Sequence, residues 1–138
     1  MIRAAHAYAR GEAEGEALVL SAPLSFWGGV EAETGRIRDP HHPQFGASVV
    51  GRVLAMPLAR GSSSSSSVLA EAIRLGTAPS AIVLGAPDPI LTVGALVAAA
   101  LYGRACPIVV CAIEGIATGD LVRVRADGEG VGTVEIVA

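Results

Sequence analysis

The sequence predicts an α/β fold with mixed parallel and antiparallel strands and two main helices. Three observations carry that expectation. Across residues 68–112, helix-like stretches with start and stop signals alternate with short apolar runs, the pattern of a parallel strand–helix–strand unit. Further on, Val122 and Val124 alternate with Arg123 and Arg125, which describes a half-buried strand. Asp127-Gly128 then signals a turn into a returning strand over residues 131–137, so this part is an antiparallel hairpin.

Each element has a local reason. The first half reads as β-rich. The acidic run Gly11-Glu12-Ala13-Glu14-Gly15 is expected as a turn, followed by a short strand at residues 17–20, with another strand within residues 47–55. Between them, residues 21–46 form a long irregular stretch rich in Gly, Pro, His and aromatic side chains. A loop of that length inside a compact fold is usually functional or held by a partner. A helix over residues 68–75 ends at Gly76, which can adopt the left-handed conformation a helix end needs. Residues 81–84 form a buried strand. Asp88 caps a second helix whose first residue is Pro89, and Gly103 ends it. Residues 107–112 form a further buried strand. No internal repeat or boundary interrupts residues 1–138, which are expected to form one domain.

Composition excludes several functions. The net charge is −3 and no basic patch with interleaved aromatics appears, so no nucleic-acid partner is expected. All ten positive charges are Arg; without Lys there is neither Schiff-base chemistry nor a P-loop. The apolar stretch at residues 90–102 is 13 residues long, short of the ~20 that span a bilayer. No membrane association is expected, no signal peptide is evident, and a cytoplasmic location fits. Charged residues make up only 17% of the chain, against about 25–35% of the surface of a well-behaved monomer. A large apolar surface covered by a partner is the simplest remedy.

The richest candidate site is the run of six serines at positions 62–67, preceded by Arg60-Gly61. A Gly-Ser turn leading into a helix gathers hydroxyls and unpaired backbone N–H groups in front of a partial positive charge. Such a place holds an anion or makes a serine oxygen reactive. Ser66 or Ser67 is the natural cap of the following helix, and the remaining serines also suit a plain solvated loop. Arg60 suits bidentate contact with a carboxylate or phosphate, or a simple surface role. Trp27, the only Trp, follows Phe26 and precedes two glycines; the pair reads either as an interface anchor or as an aromatic plug. His41-His42-Pro43 with Asp39 lacks a third ligand of clear spacing. A triad of a serine, His42 and Asp39 or Asp88 is conceivable in space, but no G-x-S-x-G motif accompanies it. Cys106 and Cys111 are five apart, which in a strand puts them on opposite faces, so neither a shared metal nor a mutual disulfide is expected.

The ordered set Pro23-Leu24-Ser25-Phe26-Trp27-Gly28-Gly29-Val30, Thr34-Gly35-Arg36-Ile37, Asp39, His42-Pro43, Arg60-Gly61-Ser62-Ser63-Ser64 with Val68-Leu69, and Gly76-Thr77-Ala78-Pro79 resembles the small subunit of aconitase X. That is the swivel component of the aconitase superfamily, and the phosphomevalonate dehydratase small subunits are of this kind. The likeness runs from about residue 15 to 125. It implies a swivelling β/β/α domain in its separate, small-subunit form, paired as a heterodimer with a large subunit. It implies that an iron–sulfur cluster sits on that large subunit and that this chain binds no cofactor. It implies a dehydratase (hydro-lyase) reaction on a small anionic substrate, cis-3-hydroxy-L-proline or, alternatively, mevalonate 5-phosphate. The absence of Lys and Asn with abundant Ala leans towards the first. Carried over by position, the superfamily's serine base is Ser62. Arg60, Gly61, Ser63 and Ser64 then fall at the substrate, and Phe26 and Trp27 at the interface. Aconitases proper follow the two serines with an arginine; here Ser64 stands at that position and Arg60 precedes the glycine. Two other classes remain open beside the dehydratase subunit: a non-catalytic, homo-oligomeric anion-binding module, and a stand-alone serine hydrolase.

Overall fold

A computed structural model describes residues 1–138. Seven strands close into a barrel: β1 (Ile2–Ala9), β2 (Gly11–Val19), β5 (Val53–Met56), β6 (Ala81–Leu84), β7 (Ile108–Val110), β8 (Leu121–Ala126) and β9 (Val131–Ile136). Around the barrel the order is β1-β7-β6-β5-β2-β8-β9. Strands β2, β5, β6 and β7 run parallel to one another, while β1, β8 and β9 complete the circuit antiparallel. Two main helices, α2 (Ser65–Leu75) and α3 (Pro89–Tyr102), connect β5 to β6 and β6 to β7. A short turn, α1 (Phe26–Gly29), whose central residues Trp27 (φ −73°, ψ 119°) and Gly28 (φ 78°, ψ −18°) are not helical, and a small hairpin of β3 (Val30–Glu31) and β4 (Arg36–Ile37) lie between β2 and β5.

Two cores follow from the period-2 alternation of the parallel strands. Leu54, Met56, Ile82, Leu84 and Ile108 face outward and meet Leu69 and Ile73 of α2 and Leu91, Ala95 and Ala98 of α3. Their neighbours Val53, Ala55, Ala81, Val83 and Val109 face inward and meet Val122, Val124 and Val134, with no helical residue among them. That second cluster is the barrel interior. It is filled by Ala and Val because a small barrel leaves room only for short side chains. Cys106 packs in the first core and Cys111 against the second, so they occupy opposite sides of the sheet; both are free thiols. Complete burial pushes the Cys106 thiol up to about 12, and partial burial raises that of Cys111.

Several sequence expectations change. Residues 11–15 are not a turn but the start of β2, and residues 2–9 form an unforeseen strand. The alternation in β2 is real: Glu12 and Glu14 point outward and pair with Arg125 and Arg123 of β8 at 3.6 and 2.8 Å. Residues 21–46 are not wholly irregular, since they carry α1 and the β3–β4 hairpin. Helix α2 begins at Ser65, three residues earlier than expected, and its cap is Ser64 rather than Ser66 or Ser67. Ser64 itself has helical backbone angles (φ −65°, ψ −16°), so its side chain does not reach back to an N–H and makes no capping bond. The signals for α3 hold: Asp88 Oδ1 accepts the N–H groups of Ile90 and Leu91 at 2.8 and 3.0 Å, and Gly103 ends the helix in the left-handed conformation. No helix is long and apolar enough to cross a membrane.

Candidate active site

The serine run hangs from the carboxyl end of β5, beside the loop that leaves the carboxyl end of β6. In a parallel sheet the carboxyl ends of adjacent strands are where ligands bind, because helix N-termini point there. Here the two loops frame a cleft of about 200 Å³ lined by Arg60, Gly61, Ser62, Ser65, Asp88 and Ile90, among others. The start of α3 is already satisfied by the Asp88 carboxylate. At the start of α2 no side chain caps the helix and no carboxylate stands in its first turn.

The run is ordered by its own backbone. Ser65, Ser66 and Ser67 donate their N–H groups to the carbonyls of Ser62, Ser63 and Ser64 at 3.0, 3.2 and 3.1 Å. This three-residue spacing tightens the first turn. The N–H groups of Gly61, Ser62 and Ser63 find no acceptor within the fold and stay exposed. The six hydroxyls differ. Ser62 Oγ accepts the Ser64 N–H at 3.2 Å and is exposed. Ser66 Oγ donates to the Ser63 carbonyl at 2.8 Å. Ser65 is buried and accepts the Trp27 N–H at 3.1 Å. The hydroxyls of Ser63, Ser64 and Ser67 are exposed and bonded to nothing in the fold.

Three glycines let this corner close. A Cβ on Gly61 would run into the Ser25 side chain, and the residue's φ of +117° favours glycine in any case. A Cβ on Gly85 would lie 2.5 Å from the Pro57 carbonyl oxygen, and one on Gly94 would lie 2.6 Å from that of Ser66.

The expected residues separate into two groups. Arg60, Gly61, Ser62, Ser63 and Ser64 lie together in one exposed loop, Arg60 donating its N–H to the Leu24 carbonyl at 3.4 Å. Trp27 is joined to that loop through Ser65, and its side chain is 58% exposed. Phe26 is fully buried among Leu20, Leu24 and Leu69, so it is a core residue and offers no ring to a partner. His42 is buried with both ring nitrogens engaged: Nδ1 accepts the Gln44 N–H and Nε2 donates to the Ala22 carbonyl, each at 3.0 Å. Both nitrogens being taken by the backbone, His42 does not activate a serine, and the triad has no base. Asp39 accepts the His41 N–H instead of joining it. No group of three or more His, Cys, Asp or Glu side chains converges as a metal site. Sequence reasoning missed Ser25 and Ser65; the tight Gly61 was the one pointer to a close approach there.

The family model for the aconitase X swivel domain matches residues 2–136. The chain belongs to that family. Its fold is that of the aconitase X of Thermococcus kodakaraensis solved in its holo-form: the TM-score is 0.87 with 34% identity over 99% of each chain. Among curated relatives, the cis-3-hydroxy-L-proline dehydratase of Pseudomonas aeruginosa is 51% identical over 98 residues, 71% of this chain but only 17% of that protein. The phosphomevalonate dehydratase small subunit of Pyrococcus furiosus is 39% identical over 130 residues, 94% of this chain and 90% of that one. The chain thus spans about a sixth of the first relative and most of the second.

Proposed function

We propose that this aconitase X swivel domain is the small subunit of a dehydratase, with Ser62 as the base that removes a proton from carbon. One observation carries the reading. Of the six serines, only Ser62 combines an exposed hydroxyl with a backbone N–H, that of Ser64, directed at its oxygen. A serine is a weak base, so its alkoxide needs such donors and the positive end of a helix. Both are present. In a 1,2-elimination the proton goes to Ser62 Oγ, and the C–H electron pair forms the new double bond. The hydroxyl on the neighbouring carbon leaves with its own bonding pair.

Binding falls to the same loop. The free N–H groups of Gly61, Ser62 and Ser63, with the Arg60 guanidinium, suit a carboxylate or phosphate. Ser63 and Ser64 offer unbonded hydroxyls beside them. The substrate is read as cis-3-hydroxy-L-proline, in keeping with the 51% identity to a dehydratase of that compound; mevalonate 5-phosphate is the alternative, in keeping with the phosphomevalonate dehydratase small subunits that are matched over most of their own length.

The partner is read as the aconitase X large subunit, in keeping with relatives named as small subunits, and the iron–sulfur centre as belonging to that subunit, in keeping with Cys106 being sealed in the core of this chain. Trp27, Phe45 and Leu58 support the partner: all three are large, exposed and apolar, on segments tied to the carboxyl ends of β2 and β5 around the serine loop.

The test is turnover of both substrates by the reconstituted pair. Ser62→Ala is expected to assemble normally and lose turnover by a factor of ~100 or more, while Ser63→Ala and Ser64→Ala keep more of it. Full loss at Ser63 or Ser64 with an active Ser62→Ala moves the base along the run. Full activity in all three leaves an anion-binding loop without a serine base.

A further inference from the structure

Ser65 is only 3% exposed, and its hydroxyl does not serve its own helix. It accepts the N–H of Trp27 at 3.1 Å, from a segment 38 residues earlier. The Trp27 carbonyl in turn accepts the Ser25 hydroxyl at 2.9 Å. Ser25 lies so close to Gly61 that a Cβ there has no room, and the same Cβ would come within 3.3 Å of Ser65 Oγ. Just before Gly61, Arg60 donates its N–H to Leu24 at 3.4 Å. Residues 24–27 and 60–65 are therefore laced at three successive points, which bracket Ser62 on both sides. Ser62 has one side-chain restraint of its own, the Ser64 N–H, and that donor sits inside the laced segment.

We propose that Ser65, acting through the Trp27 turn, is a positioning residue for the Ser62 oxygen; this rests on reading Ser62 as the base. A base displaced by ~1 Å can cost about 100-fold in rate even when binding is unaffected. Removing the Ser65 oxygen strips the part-buried Trp27 N–H of its acceptor and frees the turn from α2. The helix itself loses nothing by the change: Ser65 is not its cap, and Ala is the best helix former.

The experiment compares Ser62→Ala, Ser65→Ala and Ser67→Ala, assayed for turnover in complex with the large subunit. It also follows Trp27, the chain's only Trp, by time-resolved fluorescence anisotropy of the full chain alone. Ser65→Ala is expected to lower kcat at least tenfold with KM within about twofold, and to enlarge the fast anisotropy component of Trp27. Ser67→Ala, whose hydroxyl is unbonded, is expected to change neither. An inactive Ser62→Ala beside a fully active Ser65→Ala overturns the positioning role alone, as does an unaltered Trp27 anisotropy in Ser65→Ala. An active Ser62→Ala with a slow Ser65→Ala and a freed Trp27 instead removes the base reading and leaves the lacing to position another group. If Ser65→Ala does not fold, Ser25→Ala cuts the opposite arm of the same lacing, and a kcat equal to wild type there overturns the proposal.

Discussion

Replacing Gly94 by alanine tests how tightly the serine loop is held from the side of α3. In an open helix this change stabilises by about 1 kcal/mol, since alanine is the better helix former. Here the new Cβ would lie 2.6 Å from the Ser66 carbonyl oxygen and 3.1 and 3.2 Å from its Cα and carbonyl carbon. Ordinary contact begins at 3.4 Å, so the nearest atom is 0.8 Å too close. All three atoms are backbone, and no rotamer relieves the overlap. The first turn of α2 must move by that amount, and overpacking of this kind costs about 1–3 kcal/mol. The cost outweighs the propensity gain, for a net loss of up to about 2 kcal/mol. Ser66 is bonded to Ser63 at 2.8 Å through its hydroxyl, so the shift carries into the loop holding Ser62. Thermal unfolding followed by circular dichroism should show a Tm lower by up to about 8 °C. Turnover in the complex should fall at least tenfold, in line with a displaced base. A Gly94→Ala chain that is more stable than wild type and fully active would refute the reasoning, since neither helix contact nor loop placement would then depend on the glycine.

Other outcomes follow from the same geometry. Trp27→Ala should weaken the complex with the large subunit by ~2 kcal/mol or more, measured by titration calorimetry; unchanged affinity removes Trp27 from the interface. Arg60→Ala should raise KM more than it lowers kcat if, as proposed, its guanidinium binds the substrate anion without taking part in proton transfer; a pure kcat loss contradicts that role. Cys106 titrates at about 12 when folded and from the ordinary 9.0 when unfolded, so above pH 9 the unfolded chain sheds this proton first. The stability owed to it is whole below that pH and declines towards pH 12, at up to about 1.4 kcal/mol per pH unit. Urea midpoints at pH 8 and pH 10.5 should fall more steeply for wild type than for Cys106→Ala, and equal slopes would refute the burial argument.

What the sequence revealed depended on how local each signal was. Helix α3 was legible because its start and stop lie in single residues, Asp88, Pro89 and Gly103, acting on their own neighbours. Strand β6 was legible because four buried apolar residues in a row have few other uses. Strands β1 and β2 were not. They line a narrow interior that admits Ala5, Ala7, Ala13 and Gly15, and such small residues carry almost no strand signal. The clue lay at long range, in Glu12 and Glu14 answering Arg125 and Arg123 more than a hundred residues away. At the site, the loop from Arg60 to Ser64 was legible from its glycine and its place before a helix. The burial of Phe26 was not, because adjacent aromatics look alike in sequence while the turn at α1 sends one inward and one outward. The engagement of His42 was hidden for the same reason: its partners, Ala22 and Gln44, are backbone groups that any residue supplies.

The serine run makes the general point most sharply, since by composition its six members are interchangeable. Their surroundings make them different. Ser62 presents its oxygen to solvent and to the Ser64 N–H, and Ser64 supplies that donor while starting the helix with its backbone. Ser63 leaves its N–H free for an anion while its carbonyl takes both the N–H and the hydroxyl of Ser66. Ser65 is buried and ties the loop to Trp27, whose ring is exposed. On the proposed reading, a partner that covers Trp27 would act on the same three-point lacing that brackets Ser62, so docking and the placing of the base would be one mechanical event.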